Sequence, residues 1–153
     1  MNEFTSVLDR SGIRLIRPGD VRLWLRGRYQ TQTGLCSRVP EIMGDLRAER
    51  LPDPRHPVEV RVLVLRAAVA IANSGAIWVP EPEPVLLPYY QNRLVLLLDP
   101  ACVVANRAAG EAKAAVHPLG GTWIHPSGHA DAPGKTSTIR VVDLSEVLVI
   151  LEE

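Results

Sequence analysis

Apolar and polar positions along the chain change period several times, and each change predicts an element. Asp9-Arg10-Ser11-Gly12 is a turn signal ahead of Ile13-Arg14-Leu15-Ile16, and Pro18-Gly19-Asp20 is a second turn. In VRLWLRG, Val21, Leu23 and Leu25 alternate with Arg22, Trp24 and Arg26. That period of two predicts a strand with one solvated face, Trp24 standing on the outer face between two arginines. Residues 27–37 are polar and read as a loop. Pro40-Glu41 followed by Ile42, Met43 and Leu46 predicts a short helix with proline in its first turn. From Val58 the chain reads VEVRVLVLRAAVAIANSGAIWV. Carried unbroken to Ala72, this strand is about twice the usual length. It either turns into a short helix near Ala67 or forms one arm of a long hairpin. Asn73-Ser74-Gly75 suits the hairpin tip, and Ala76 to Val79 the return strand.

Prolines 80, 82, 84 and 88 forbid helix and central strand in the next stretch, PEPEPVLLPYYQ. Its side chains are nevertheless apolar, which a free linker avoids, so it must lie against a surface. Residues 94–98 are continuously apolar and predict a strand buried on both faces. Asp99-Pro100 is placed to cap a helix, and the alanine-rich residues 101–116 favour one; Gly110 and the Val103-Val104 pair weaken it. A loop at 117–121, a short strand at 122–124, a Gly/Pro/Ser loop at 126–135 and strands at 139–142 and 147–151 complete the reading. The run Val147-Leu148-Val149-Ile150-Leu151 demands burial, so this segment is expected inside a sheet of its own or a neighbouring subunit. The fold predicted is mainly β: one domain over 1–153, a compact barrel or sandwich with one or two short helices and an extended arm or long hairpin at 58–92.

Composition narrows function more than fold. Apolar residues are 46% and charged residues 22% of 153, and Lys+Arg and Asp+Glu are 17 each. No global field attracts nucleic acid or an anionic membrane, and neither is expected as a partner. Only Lys113 and Lys135 are lysines; every other basic residue is arginine, a residue suited to interfaces. Cys36 and Cys102 make no disulfide framework and read as free thiols of a reducing compartment. The first ten residues lack the apolar run of a signal peptide, and no stretch reaches the ~18 apolar residues of a membrane span. A cytoplasmic protein, or one carried into a virion, is expected.

Candidate chemistry is sparse. His117, His125 and His129 lie close in sequence, and the H-x3-H pair would share a helical face and hold zinc. Pro126 and Gly128 break any such helix, so no metal or other cofactor is expected. Gly-Lys-Thr-Ser at 134–137 lacks the first glycine of a phosphate-binding loop, because His129 stands there. Cys36 has no nucleophile signature around it, and Glu41, Glu152 and Glu153 read as surface carboxylates. The expected role is therefore non-enzymatic: a homo-oligomeric subunit of a larger assembly, such as a virion decoration, cement or connector protein. Trp24, Trp78, Val85, Leu86, Leu87, Tyr89, Tyr90, Val147, Val149 and Leu151 are its candidate interface residues. A small metal-dependent enzyme built on the histidine loop is a further alternative.

A resemblance offers another. IRPGDVRLWLR at 16–26 resembles the opening strand of the chaperonin-10 co-chaperonins. TGL at 33–35 with Val39-Pro40 is similar to their mobile loop, and VVDLSEVLVILEE at 141–153 to their closing strand. The resemblance covers about a quarter of the chain and implies a ring of small β-barrels that grips a client machine through the 27–39 loop. Residues 58–116 are longer than that family's pattern.

Overall fold

A parallel β-sheet, not a barrel, organises the chain in the computed structural model. The structure describes residues 2–32, 34–37, 39–41, 44, 49–50, 61–80, 93–118, 120–125, 137–140 and 146–152. Six strands form the first sheet: β1 (Arg14–Ile16), β2 (Leu35–Ser37), β3 (Glu49–Arg50), β4 (Val62–Arg66), β7 (Arg93–Leu98) and β11 (Glu146–Leu151), in the spatial order β1-β11-β7-β4-β2-β3. Every pairing in it is parallel. The second sheet is mixed, with β5 (Val69–Ile71), β6 (Ile77–Pro80), β8 (Val103–Val104), β9 (Gly121–His125) and β10 (Ser137–Arg140) in the order β10-β9-β6-β5-β8. Among the described residues the helices are α1 (Asn2–Arg10), α2 (Val21–Tyr29) and α3 (Arg107–Ala115), and Pro40, Glu41 and Gly44 are also helical, where a short helix is expected.

This is a β-rich α/β fold, and it overturns the expected barrel or sandwich. The residues explain why. Parallel strands need both faces covered, and unbroken apolar runs satisfy that demand. On β4, β7 and β11, Leu63, Leu65, Leu94, Leu96, Leu98, Val147, Val149 and Leu151 face one way. They meet Phe4 and Leu8 of α1 and the inner side chains of the second sheet, among them Ala70, Ile77, Val79 and Ile124. Val62, Val64, Val95, Leu97, Leu148 and Ile150 face the other way, under Leu25 and Tyr29 of α2. A third cluster, Val69, Ile71, Ala76, Trp78 and Trp123, lies beneath Ala114 of α3.

Residues 21–29 form a helix where the alternation predicts a strand. Asp20 is its N-cap, in extended conformation, and its carboxylate accepts a hydrogen bond from Leu23 N at 3.0 Å. Val21, Leu25 and Tyr29 recur every four residues, so the segment carries a helical period beneath its period of two. The helix buries Leu25 and Tyr29 and leaves Leu23, inward in the strand reading, 63% exposed. The strand that the co-chaperonin resemblance places here is absent, and β11 pairs in parallel with both neighbours. Residues 35–37, read as loop, form a fully buried strand.

Within its described part, 61–72, the run from Val58 is not a single strand, and only its end, β5, is a hairpin arm, pairing antiparallel with β6. β4 ends at Arg66, and Ala67 N donates to Leu97 O while Ala68 N donates to Trp78 O. Two residues thus pass the chain from the first sheet to the second. The tip falls where the sequence places it, with Gly75 at φ 76° and its N–H on Ile71 O. The doubly buried strand at 94–98 and the buried strand at 147–151 also form as expected. Asp99 caps a 3-10 turn, Pro100–Cys102, through Ala101 N, and α3 starts later on the N-cap Asn106. Gly110 belongs in α3 for a packing reason: a Cβ there would lie 2.7 Å from Ile71 Cγ1. The proline-ruled part of the expected arm, 81–92, lies outside the described residues. No helix among the described residues is long and apolar enough to cross a membrane.

Candidate functional site

Strand order locates the most distinctive place on the molecule. From β2 the chain goes outward to β3, then returns past β2 to β4 and continues through β7 to β11. The direction of winding reverses between β2 and β4. In open parallel sheets the helices leave a crevice at such a reversal, outside the carboxyl ends of the strands.

Polar side chains gather at these ends, beyond the apolar middles of β4, β7 and β11. Ser37, the last residue of β2, is fully buried; its hydroxyl donates to Val64 O at 2.8 Å and accepts from Val39 N at 2.9 Å. This bond pair clamps β2 to β4 and turns the chain so that Glu41 follows at the surface. Arg66, the last residue of β4, reaches across the end of β7 to Glu152, which follows β11. Its Nε donates to Glu152 Oε1 at 3.0 Å and its Nη2 to Oε2 at 2.9 Å, a two-pronged fork. The main chain holds Glu152 in place, since its N–H donates to Leu98 O at 2.8 Å. The remaining terminal nitrogen, Nη1, lies 3.5 Å from Glu41 Oε1. Hydrogen bonding to Glu152 raises the Arg66 pKa, burial opposes it, and the charges of Glu152 and Glu41 add to the rise. The guanidinium is thus a fixed cation, gripped on one side by Glu152 and loosely met on the other by Glu41. The Arg66 side chain is 43% exposed and Glu41's 49%, so an incoming group can compete for that looser side.

The histidines belong elsewhere. His117 packs against Trp78 with ring centroids 4.8 Å apart and planes tilted by 53°, and His125 lies 6.3 Å from the ring of Trp123. Burial, and secondarily Arg107, lowers the His125 pKa. His129 lies outside the described residues. Among the described residues no group of three or more His, Cys, Asp and Glu is placed to hold a metal ion. Cys36 is a buried free thiol, and Cys102 is half-buried.

The candidate interface residues fall into three sets. Trp78, Val147, Val149 and Leu151 are buried in the chain's own core. Trp24 is half-buried on α2, with the Arg28 guanidinium 5.7 Å above its ring. Val85, Leu86, Leu87, Tyr89 and Tyr90 lie outside the described residues. The sequence reading missed Ser37, Arg66 and the pairing role of Glu152. Their signal was positional: VLVLR and VLVILE are buried runs that end on a charge, which marks the end of an enclosed strand.

The chain thus belongs to the class of α/β proteins built on a parallel sheet. No family model matches it, and no curated protein matches it. Among solved structures, a DUF162 family protein from Deinococcus radiodurans is similar in fold, with a TM-score of 0.65 over 99% of this chain and 95% of that one. The two are 12% identical, so the likeness is one of fold alone.

Proposed function

We propose that this chain is a cytoplasmic binding protein that holds a small oxyanion, a carboxylate or phosphate, at the carboxyl edge of its parallel sheet. One observation carries the reading: at the reversal between β2 and β4, Arg66 is oriented by the Glu152 fork and keeps one side met only by Glu41 at 3.5 Å. A surface ion pair contributes only about 0–1 kcal/mol to stability, which makes recognition the better account of a cation so placed. The test is calorimetric titration with a panel of small carboxylates and phosphates, together with thermal unfolding. A true ligand at about 100 times its Kd stabilises the fold by about 2.7 kcal/mol. Arg66→Met must abolish that gain and keep the fold. Ligand binding undiminished in Arg66→Met refutes the proposal.

A second reading, a subunit of a symmetric assembly such as a virion decoration or connector protein, keeps one motive. The apolar, proline-ruled sequence at 81–90 still calls for a surface to cover it. Trp78 and the 147–151 strand no longer argue for it, being satisfied within the chain. Light scattering across a dilution series tests this reading: a monomer at all concentrations removes the homo-oligomer.

A further inference from the structure

Charge is concentrated at one end of this electrically neutral chain. Residues 10–28 hold six arginines, Arg10, Arg14, Arg17, Arg22, Arg26 and Arg28, against one acid, Asp20. All six are exposed; Arg28 is met by Glu146, 3.8 Å away, and the Asp20 carboxylate is engaged by Leu23 N in capping α2. The fold wraps this segment around one place. β1 is the edge strand of the six-stranded sheet, paired to β11 on one side only among the described residues. Leu15 packs into the cluster under α1 and Ile16 into the cluster under α2, so the two helices flank β1 on opposite faces. Arg17 turns to the α1 side, its Nη2 donating to Thr5 Oγ1 at 3.4 Å. Arg14 shares a strand face with Ile16 and stands on the α2 side.

We propose that this β1 edge docks an extended acidic segment of a partner protein, which joins the sheet as a further strand beside β1. An edge strand presents a row of backbone donors and acceptors, and an added strand pairs with them while its side chains fill the flanking positions. Arginines on both flanks select that strand by charge. They also exclude the obvious competitor, a second copy of the same edge, because two such edges repel. Single-stranded nucleic acid satisfies the arginines but offers no backbone ladder to β1.

The experiment is fluorescence anisotropy of a labelled peptide of about eight residues, alternating Glu and Val, titrated with the whole protein in about 50 mM salt. Saturable binding is expected. Arg14→Gln together with Arg17→Gln is expected to weaken it about threefold to tenfold, with an unchanged far-UV circular dichroism spectrum. A peptide of the same sequence with alternate backbone nitrogens methylated keeps its charge but cannot form the ladder; it is expected to bind at least about tenfold more weakly. Absence of saturable binding, equal affinity for the methylated peptide, or tighter binding of a single-stranded oligonucleotide of the same charge each overturns the proposal.

Discussion

Gly121 opens β9 directly beneath Trp78, and its replacement by alanine tests how tightly the second sheet is packed. A Cβ on Gly121 would fall within the indole of Trp78 and lie 2.6 Å from Val79 O. The indole is fully buried, packed with Val69, Ile71 and Trp123, so it has no free space to enter. The Val79 carbonyl belongs to the neighbouring strand, which is held by pairing to β9. Backbone and ring must both move. Overpacking of this kind costs about 3 kcal/mol at the upper end of the usual range. Each kcal/mol lowers Tm by about 2–4 °C in a chain of this size, so Gly121→Ala is expected to lose about 6–12 °C. Two other glycines set the scale. At Gly110 the added carbon clashes with Ile71 Cγ1 and Cδ1, at 2.7 and 2.8 Å, and touches Trp123 Cη2 at 3.4 Å. Ile71 is buried and β-branched and yields little, but no backbone atom is struck and alanine's better helix propensity offsets about 1 kcal/mol of the overpacking, so the net loss is about 0–2 kcal/mol. Gly27 has nothing within 4 Å and sits inside α2, so Gly27→Ala is expected to stabilise by about 0.5–1 kcal/mol. Urea unfolding followed by far-UV circular dichroism reads all three. Any order other than Gly27, Gly110, Gly121 from most to least stable, or a loss below about 1 kcal/mol at Gly121, refutes the packing argument.

Three further perturbations follow from individual residues. Asp20→Ala removes the cap of α2 and should cost about 1 kcal/mol in urea unfolding, with Asp20→Asn largely retaining it; equal losses in the two variants would mean that the cap is not the cause. Among the described residues the buried Tyr29 hydroxyl closes no hydrogen bond of good geometry, and burial raises its pKa above 10.0 against the opposing pull of the neighbouring Arg28 guanidinium. Tyr29→Phe is therefore expected to leave stability unchanged or raise it by about 1 kcal/mol, and to lessen the loss of stability above pH 10, where only the unfolded chain ionises; a clear destabilisation refutes this. The pKa of His125 in the folded protein lies below 6.5, so between that value and 6.5 the unfolded chain holds a proton that the folded chain does not. Its contribution to stability is complete above pH 6.5 and declines as the pH falls, and His125→Gln should flatten the profile below pH 6.5; an unchanged profile sinks the assignment.

The central strands were legible because they carry one unambiguous message. The apolar runs at 94–98 and 147–151 fit only an enclosed strand, and Asn73-Ser74-Gly75 fits a tight turn. What misled was local ambiguity resolved by distant groups. Residues 21–29 hold a period of two and a period of four at once. Only the Asp20 cap and the apolar floor provided by Val62, Val95 and Leu148 select the helix. The run through Ala67 looks continuous because the change of sheet occurs at two alanines, which mark no turn. The barrel expectation followed from reading alternation as one-sided strands. The candidate site was hidden for a related reason: Arg66, Glu41 and Glu152 come from segments far apart in the chain, and parallel topology alone brings them together.

The position of β11 sets the order in which this sheet can be built. Arg14 pairs with Leu148, almost the whole described chain away, and β11 is an interior strand between β1 and β7. β4 and β7 can associate first, but β1 has no sheet to join until β11 has inserted beside β7. Loop closure over so long a span is slow, which gives the fold a high contact order and a late, rate-limiting step. Until that step is complete the Leu94–Leu98 side of β7 stays an open apolar edge. The time spent waiting for β11, more than the stability of the finished sheet, governs how readily this chain aggregates while folding.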